Sequence, residues 1–354
     1  MTLAIGLFLI LTNGENLYKI NERKYNYDFL KNISSNIFST VQVEQIANTV
    51  SYGGKSLIDV NVKYLCEFEK SNDYDSNKPT IIISVRTCSE ILKYTLDNLR
   101  QNKIIEHANI LIIDDRPDNQ INKNIILESG ASYLVINNSL QRFNFSMLHN
   151  IAIHYLYNAI KTRKEVILWN LDLWAGNKEV FPTLLKKHRQ DKNMLTGTKL
   201  VYPNNNFPFY HKGKINKTQF GGSVFGPRHE SPGLFPFHLY RGYDYEDPKV
   251  NCDKGEIFLT GAFMILDIGW FIKVGGFNPS LALFFQDVDL CLRAAEQNEK
   301  IMYYGKDLYL YHYESLALKE NNELGKTSVE PLLYNKIWTE KKIVDILFKD
   351  SDVN

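Results

Sequence analysis

The run Thr80-Ile-Ile-Ile-Ser-Val85 is short, β-branched and apolar, and predicts a strand; Leu92, Leu96 and Leu99 then recur at helical spacing and predict a helix. The alternation continues. Ile110-Leu-Ile-Ile-Asp-Asp115 reads as a strand, Ile121–Glu128 as a helix, Tyr133-Leu-Val-Ile-Asn137 as a strand, Phe145 to Ile160 as a helix, and Val166-Ile-Leu-Trp169 as a further strand. Apolar strands separated by helical segments predict an α/β fold whose mostly parallel sheet is covered on both faces. Ligands in such sheets bind beyond the carboxyl ends of the strands.

Upstream, Phe29, Ile33, Ile37 and Val41 recur at i+4 and predict an amphipathic helix, while Ile58, Val60, Val62 and Tyr64 alternate as in a strand. The polar stretch Ser71-Asn-Asp-Tyr-Asp-Ser-Asn-Lys-Pro79 reads as a boundary loop. It divides the chain into an N-terminal extension or small subdomain (1–77), a central domain (78–315) and a C-terminal helical extension (316–354). The apolar run Leu3–Thr12 lacks a basic flank and a small-residue cleavage site. It has about half the ~20 residues a membrane span needs, and reads as a buried strand or short core segment rather than a processed signal or membrane-dipping segment.

Composition narrows the class. Over 354 residues, 44% are hydrophobic and 23% charged, which fits neither a disordered chain nor a polytopic membrane protein. The formal charge, 41 − 40 = +1, gives no general pull toward nucleic acid or anionic lipid. Cys66, Cys88, Cys252 and Cys291 form no CxxC and read as reduced structural thiols. Neither GxGxxG after the first strand nor GxxxxGK[ST] anywhere occurs, which disfavours hydride transfer and P-loop ATPase chemistry.

Candidate chemistry stands where strands end. Asp114-Asp115 closes one strand and Asn170-Leu-Asp172 another; carboxylates there can hold a ribose hydroxyl, a base edge or a hard cation, or serve only as turn residues. A Gly- and aromatic-rich block from Phe258 leads into Asp287-Val-Asp289 at the start of a predicted helix. Those carboxylates are either helix caps or site residues. Asp289 can pair with Arg293 at i,i+4 on the helix surface, which leaves Asp287 free. His312, near the end of the alternating Lys306–Tyr313, is a packing residue or, with Asp172, half of a carboxylate–imidazole site for Mn²⁺ or Mg²⁺ completed by diphosphate oxygens. The aromatic, Pro- and Gly-rich Tyr202–Val250 reads as an irregular loop packed by its own rings, or as an acceptor wall with Arg241 or His238 on polar groups.

Taken in order, Ile81–Val85, Ile110–Asp115, Phe143–Asn150, Ile167–Asp172, Thr260–Ala262, Gly275–Arg293 and His312 resemble a family 2 type inverting glycosyltransferase of the GT-A fold, from about Lys78 to Ser315. The likeness is strongest in Gly275-Gly-Phe-Asn278 followed by Phe285-Gln-Asp-Val-Asp-Leu-Cys-Leu-Arg293, where Gln286 replaces a frequent Glu. Asn170-Leu-Asp172 stands in place of the DxD motif, as N-x-D does in rhamnosyltransferase-like branches. The resemblance implies transfer of a sugar from a nucleoside diphosphate sugar to a hydroxyl of a glycan or glycolipid acceptor, in surface polysaccharide or glycoconjugate synthesis. It implies donor contacts from Ser84, Asp115, Phe143, Asn144, Asn150 and Asn170, and acceptor contacts from Thr260, Gly261 and Ala262. It also implies Mn²⁺ or Mg²⁺ ligation by Asp172 and His312, and a base in Asp287. Lys336-Ile-Trp338 resembles a Lys-Trp element that follows the catalytic domain in relatives. No nucleic-acid partner is implied, no transmembrane segment, and at most peripheral membrane contact. A catalytically impaired binding module and a nucleotidyltransferase are the alternatives.

Overall fold

A computed structural model of the chain describes residues 41–46, 51–52, 55–56, 61–86, 89–115, 120–138, 143–228, 231–314 and 330–348. Leu3–Thr12, the Phe29, Ile33 and Ile37 stripe, and Ile58 and Val60 lie outside them. The first half contains β1 (Val41–Ile46), β2 (Ser51–Tyr52), β3 (Lys55–Ser56), β4 (Asn61–Glu69), β5 (Thr80–Val85), α1 (Ser89–Gln101), β6 (Asn109–Asp114), α2 (Gln120–Glu128), β7 (Ser132–Asn138), α3 (Phe145–Asn158), β8 (Val166–Trp169) and β9 (Leu173–Ala175). Then come α4 (Val180–Gln190), β10 (Leu195–Val201), β11 (Thr218–Phe220), β12 (Ser223–Arg228), β13 (Ser231–His238), β14 (Asp253–Gly255), β15 (Phe263–Leu266), α5 (Ile268–Lys273), α6 (Gln286–Glu296), β16 (Ile301–His312), α7 (Glu330–Ile337) and α8 (Glu340–Leu347).

The main sheet runs β1-β4-β7-β6-β5-β8-β15-β10-β16-β14, with β11 on β10 and β9 on β16. Its centre, β7-β6-β5-β8, is parallel throughout. Ile81–Ile83 and Leu111–Ile113 have no exposed surface, which is why these strands carry no polar alternation. Tracing the pairings outward, β1, β5, β6, β7, β8, β10 and β16 run one way and β4, β9, β11, β14 and β15 the other. The fold is α/β, a mixed and mostly parallel sheet flanked by helices. Helix α3 packs against β5 and α5, and α4 lies along β10 and β16. Every residue of α3 from Phe145 to Leu156 is buried, and its polar Ser146, His149 and Asn150 are each hydrogen-bonded to backbone carbonyls.

Two expectations change, at Val41 and over Tyr202–Val250. Val41 belongs to strand β1, paired antiparallel with β4, and not to a helix; Val-Gln-Val-Glu-Gln-Ile has the period of a strand. Strand β4, upstream of the Ser71–Pro79 stretch, pairs with β7 and extends the same sheet. Tyr202–Val250 is not wholly irregular, because it contains β11 and the β12–β13 hairpin. The prolines of that hairpin are tolerated in an isolated two-stranded ladder.

Two registers position the candidate site. Phe263 of β15 stands opposite Trp169 of β8, which sets Thr260–Ala262 beside Asn170–Asp172. His312 of β16 stands opposite Leu173 of β9, which brings the imidazole to Asp172. Among the described residues no helix is long and apolar enough to cross a membrane.

Candidate active site

The loop after β8 is anchored from beneath. Thr95 of α1 donates its hydroxyl to the Leu171 carbonyl at 2.5 Å and accepts the Trp174 indole N–H at 2.9 Å. Leu171 is buried, and the two polar residues on either side of it both reach His312. Oδ1 of Asp172 lies 3.2 Å from His312 Nε2, and Asn170 Nδ2 lies 3.2 Å from the same nitrogen. Asp172 and His312 are 6% and 5% exposed. An imidazole nitrogen and a carboxylate oxygen at this distance share a proton or hold a cation between them. The donor set, one carboxylate and one imidazole, suits Mn²⁺ or Mg²⁺ only when other oxygens join it. Among the described residues no group of three or more His, Cys, Asp or Glu assembles.

Asp287 approaches from the other wall. The Asn170 N–H donates to the Ala262 carbonyl at 2.9 Å, and the N–H of the preceding Gly261 donates to Asp287 Oδ2 at 2.7 Å. Two hydrogen bonds thus tie the N-x-D loop to the carboxylate. Asp287 Oδ1 accepts the Val288 N–H at 2.8 Å. A Cβ at Gly261 would sit 3.3 Å from Asp287 Cβ, so a side chain there crowds the carboxylate. Asp287 is not the cap of α6. That position is Phe285, at φ 64° and with no side-chain cap bond. Burial pushes the Asp287 carboxyl upward, partly offset by the Gly261 and Val288 N–H groups.

The start of α6 is held by buried polar contacts. Arg293 Nε and Nη2 lie 3.0 and 2.9 Å from Asp289 Oδ2, and Arg293 also donates to the carbonyls of Val274 and Gly276 at 2.9 and 2.6 Å. Asp289 Oδ1 accepts the indole N–H of Trp338 at 2.9 Å. The i,i+4 pair exists but is buried, not on the surface: the Asp289 side chain is 3% exposed because Trp338 covers it. Asp289→Asn is therefore expected to cost about 3–5 kcal/mol, the range for breaking a buried pair, and not the ~0.2–0.5 kcal/mol of a surface pair. Chemical denaturation measures the difference, and a loss under ~0.5 kcal/mol would contradict this placement. Glu330 of α7 grips the segment just ahead of α6, its Oε2 accepting the N–H groups of Leu283 and Phe284 at 3.2 and 2.5 Å. Burial raises its pKa to about 7.

The other expected site residues are spread around these two walls. Ser84, half-buried, stands at the end of β5. Asp115 follows β6 at the same sheet end, its side chain without exposed surface and 3.5 Å from Arg86 Nη1. Asn144 caps α3 through the Met147 N–H and donates to the Pro279 carbonyl. Phe143, half-buried beside it, packs against the core. Asn150 is fully buried, with its amide bonded both ways to the Phe277 backbone at 2.8 Å. Asn144 and Asn150 thus brace the Gly-Gly-Phe-Asn turn. Thr260, nearly buried, accepts the Ala262 N–H at 3.3 Å. The rings Phe207 and Phe209 stack on Trp174 at 5.6 and 6.0 Å, so they serve packing. Arg241 pairs with Glu314 at 2.7 Å and reaches His238 at 3.1 Å. Burial alone would raise Glu314, but hydrogen bonds from Tyr202 and Arg241 and the Arg241 charge hold it at about 2. Gln219, at 2.6 Å from His312 Nδ1, was not foreseen, and nothing in a Thr-Gln-Phe triplet marks it.

No protein-family model matches the sequence, and no curated protein matches it. The chain is similar to the crystal structure of GalNAc-T7 with UDP, GalNAc and Mn²⁺, with a TM-score of 0.48 and 13% sequence identity, over 68% of this chain and 44% of that one.

Proposed function

We propose that this chain is a glycosyltransferase that moves a sugar, with inversion, from a nucleoside diphosphate sugar to a hydroxyl of a glycan acceptor. The observation that carries the reading is the pairing of two chemistries across one hydrogen-bonded seam: an Asp172–His312 pair on one side and the Asp287 carboxylate on the other. Inversion needs both. A base must take the acceptor hydroxyl's proton while the leaving diphosphate, on the opposite face of the anomeric carbon, is stabilised.

Asp172 and His312 would hold Mn²⁺ or Mg²⁺, which when bound supplies Lewis-acid stabilisation of the diphosphate. Asp287 Oδ2, already fixed by the Gly261 N–H, receives the proton as the acceptor oxygen bonds to the anomeric carbon and the sugar–diphosphate bond breaks. Thr260, Gly261 and Ala262 line the acceptor side, while Ser84, Asp115 and the Phe143–Asn150 segment frame the donor side. The neighbourhood of Asp287 is partly desolvated, and that strengthens electrostatic contacts made there.

The test is product identity. Incubation with UDP-, GDP- and dTDP-sugars and Mn²⁺ should release nucleoside diphosphate from at least one donor. Release of pyrophosphate would assign a nucleotidyltransferase instead.

A further inference from the structure

The contacts behind His312 are not used by this mechanism. On the side away from Asp172, His312 Nδ1 lies 2.6 Å from Oε1 of Gln219, a residue of β11 that is 2% exposed. The other end of the Gln219 side chain faces Glu314 and helps hold its carboxyl low. Glu314 is gripped in turn by Arg241 Nη1 at 2.7 and 3.0 Å and by the Tyr202 hydroxyl at 2.6 Å. A carboxylate in such an ion pair only accepts. The amide of Gln219 therefore has one orientation, nitrogen toward Glu314 and oxygen toward His312. An oxygen acceptor at Nδ1 requires a ring proton there, so in the neutral imidazole the Nε2 lone pair is left on the Asp172 side.

Another buried histidine shows the contrast. His188 Nδ1 meets the Thr196 hydroxyl at 2.9 Å, a partner that can donate or accept and so fixes no tautomer. A partner that can only accept sets the ring, and the Gln219 oxygen, with its amide nitrogen turned toward Glu314, is such a partner.

We propose that Gln219 is a positioning residue: it fixes His312 as the Nδ1–H tautomer so that Nε2 faces Asp172 ready to bind a divalent cation. The inference rests on the reading of Asp172 and His312 as cation ligands. It adds a residue that touches neither cation nor substrate and acts through the imidazole.

The test uses the full chain and Mn²⁺ alone as the probe. Gln219→Met keeps length and volume and removes the oxygen acceptor. Mn²⁺ affinity, followed by electron paramagnetic resonance of the free ion, should fall about 10–100-fold, the usual cost of losing such an outer partner. Nitrogen-15 NMR of the metal-free wild type, at a pH where the imidazole is neutral, should find the His312 proton on Nδ1, and the variant should shift toward the Nε2–H form, a change that a merely structural role would not produce. Asp172→Asn separates the two ideas. If it weakens Mn²⁺ binding and Gln219→Met does not, the positioning role is overturned and the cation site stands. If neither variant affects Mn²⁺ binding, the cation reading falls and this inference with it. Should Gln219→Met fail to fold, the wild-type spectrum decides: a neutral His312 with its single proton on Nε2 overturns the inference.

Discussion

Asp287→Asn is expected to lower sugar-transfer turnover about 10²–10⁴-fold, the contribution of a positioned general base, with donor affinity kept. The carboxylate uses both oxygens, Oδ2 for the Gly261 N–H and Oδ1 for the Val288 N–H. An amide can satisfy one of them and must turn its nitrogen toward the other. Leaving that N–H unmet costs about 1–3 kcal/mol of stability, so the variant should melt lower than wild type even though it folds. Turnover must be compared well below both transitions. The pH profile gives an independent check. Burial raises the carboxyl's pKa, so the folded state holds the proton more tightly than the unfolded chain does. Stability from that effect is present below the unfolded value and is lost as pH rises through the folded one. Activity runs the other way, since only the ionised form accepts a proton, and should fall on acidification through a midpoint above the ordinary Asp range. Wild-type turnover in a folded Asp287→Asn protein would remove the residue from the mechanism.

Excess EDTA is expected to abolish donor-dependent turnover, with recovery on adding Mn²⁺ or Mg²⁺. On the proposed reading Asp172 and His312, 3.2 Å apart, are the two ligands, and Asn170 contributes no charge. Free cation should therefore bind weakly and bind more tightly once a nucleoside diphosphate supplies oxygens. His312→Ala should lower Mn²⁺ affinity by more than the ~10–100-fold that loss of an outer partner costs. Its melting temperature reports whether the Gln219–Glu314 contacts survive. Full turnover in EDTA would refute the ligand assignment.

The parallel centre of the sheet was legible because its strands are buried on both faces and read as unbroken apolar runs, from Thr80 to Trp169. The antiparallel insertion of β15 between β8 and β10 was not, and neither was the pairing of His312 with Leu173. Both depend on register between segments about a hundred residues apart, which periodicity does not encode. Asp172, His312 and Asp287 stood out in the sequence because acids and imidazoles at strand and helix ends are chemically conspicuous. Their supports did not. A helix cap was the alternative reading of Asp287, but the chain enters α6 through a left-handed Phe285. A surface pair was expected at Asp289, but Trp338, from the far end of the chain, covers it. Asn144 and Asn150 were expected on the donor, yet both hydrogen-bond to backbone of the 277–279 turn. Such contacts are legible only once the turn has a place.

The most direct test of the central claim is the nucleotide released when the purified chain, Mn²⁺ and a panel of UDP-, GDP- and dTDP-sugars are incubated with glycan acceptors. One donor is expected to yield its nucleoside diphosphate together with a glycosylated acceptor of inverted anomeric configuration, and Asp172→Asn to suppress both. Nucleoside diphosphate and product formed equally well by Asp172→Asn, or pyrophosphate as the released group, would contradict it.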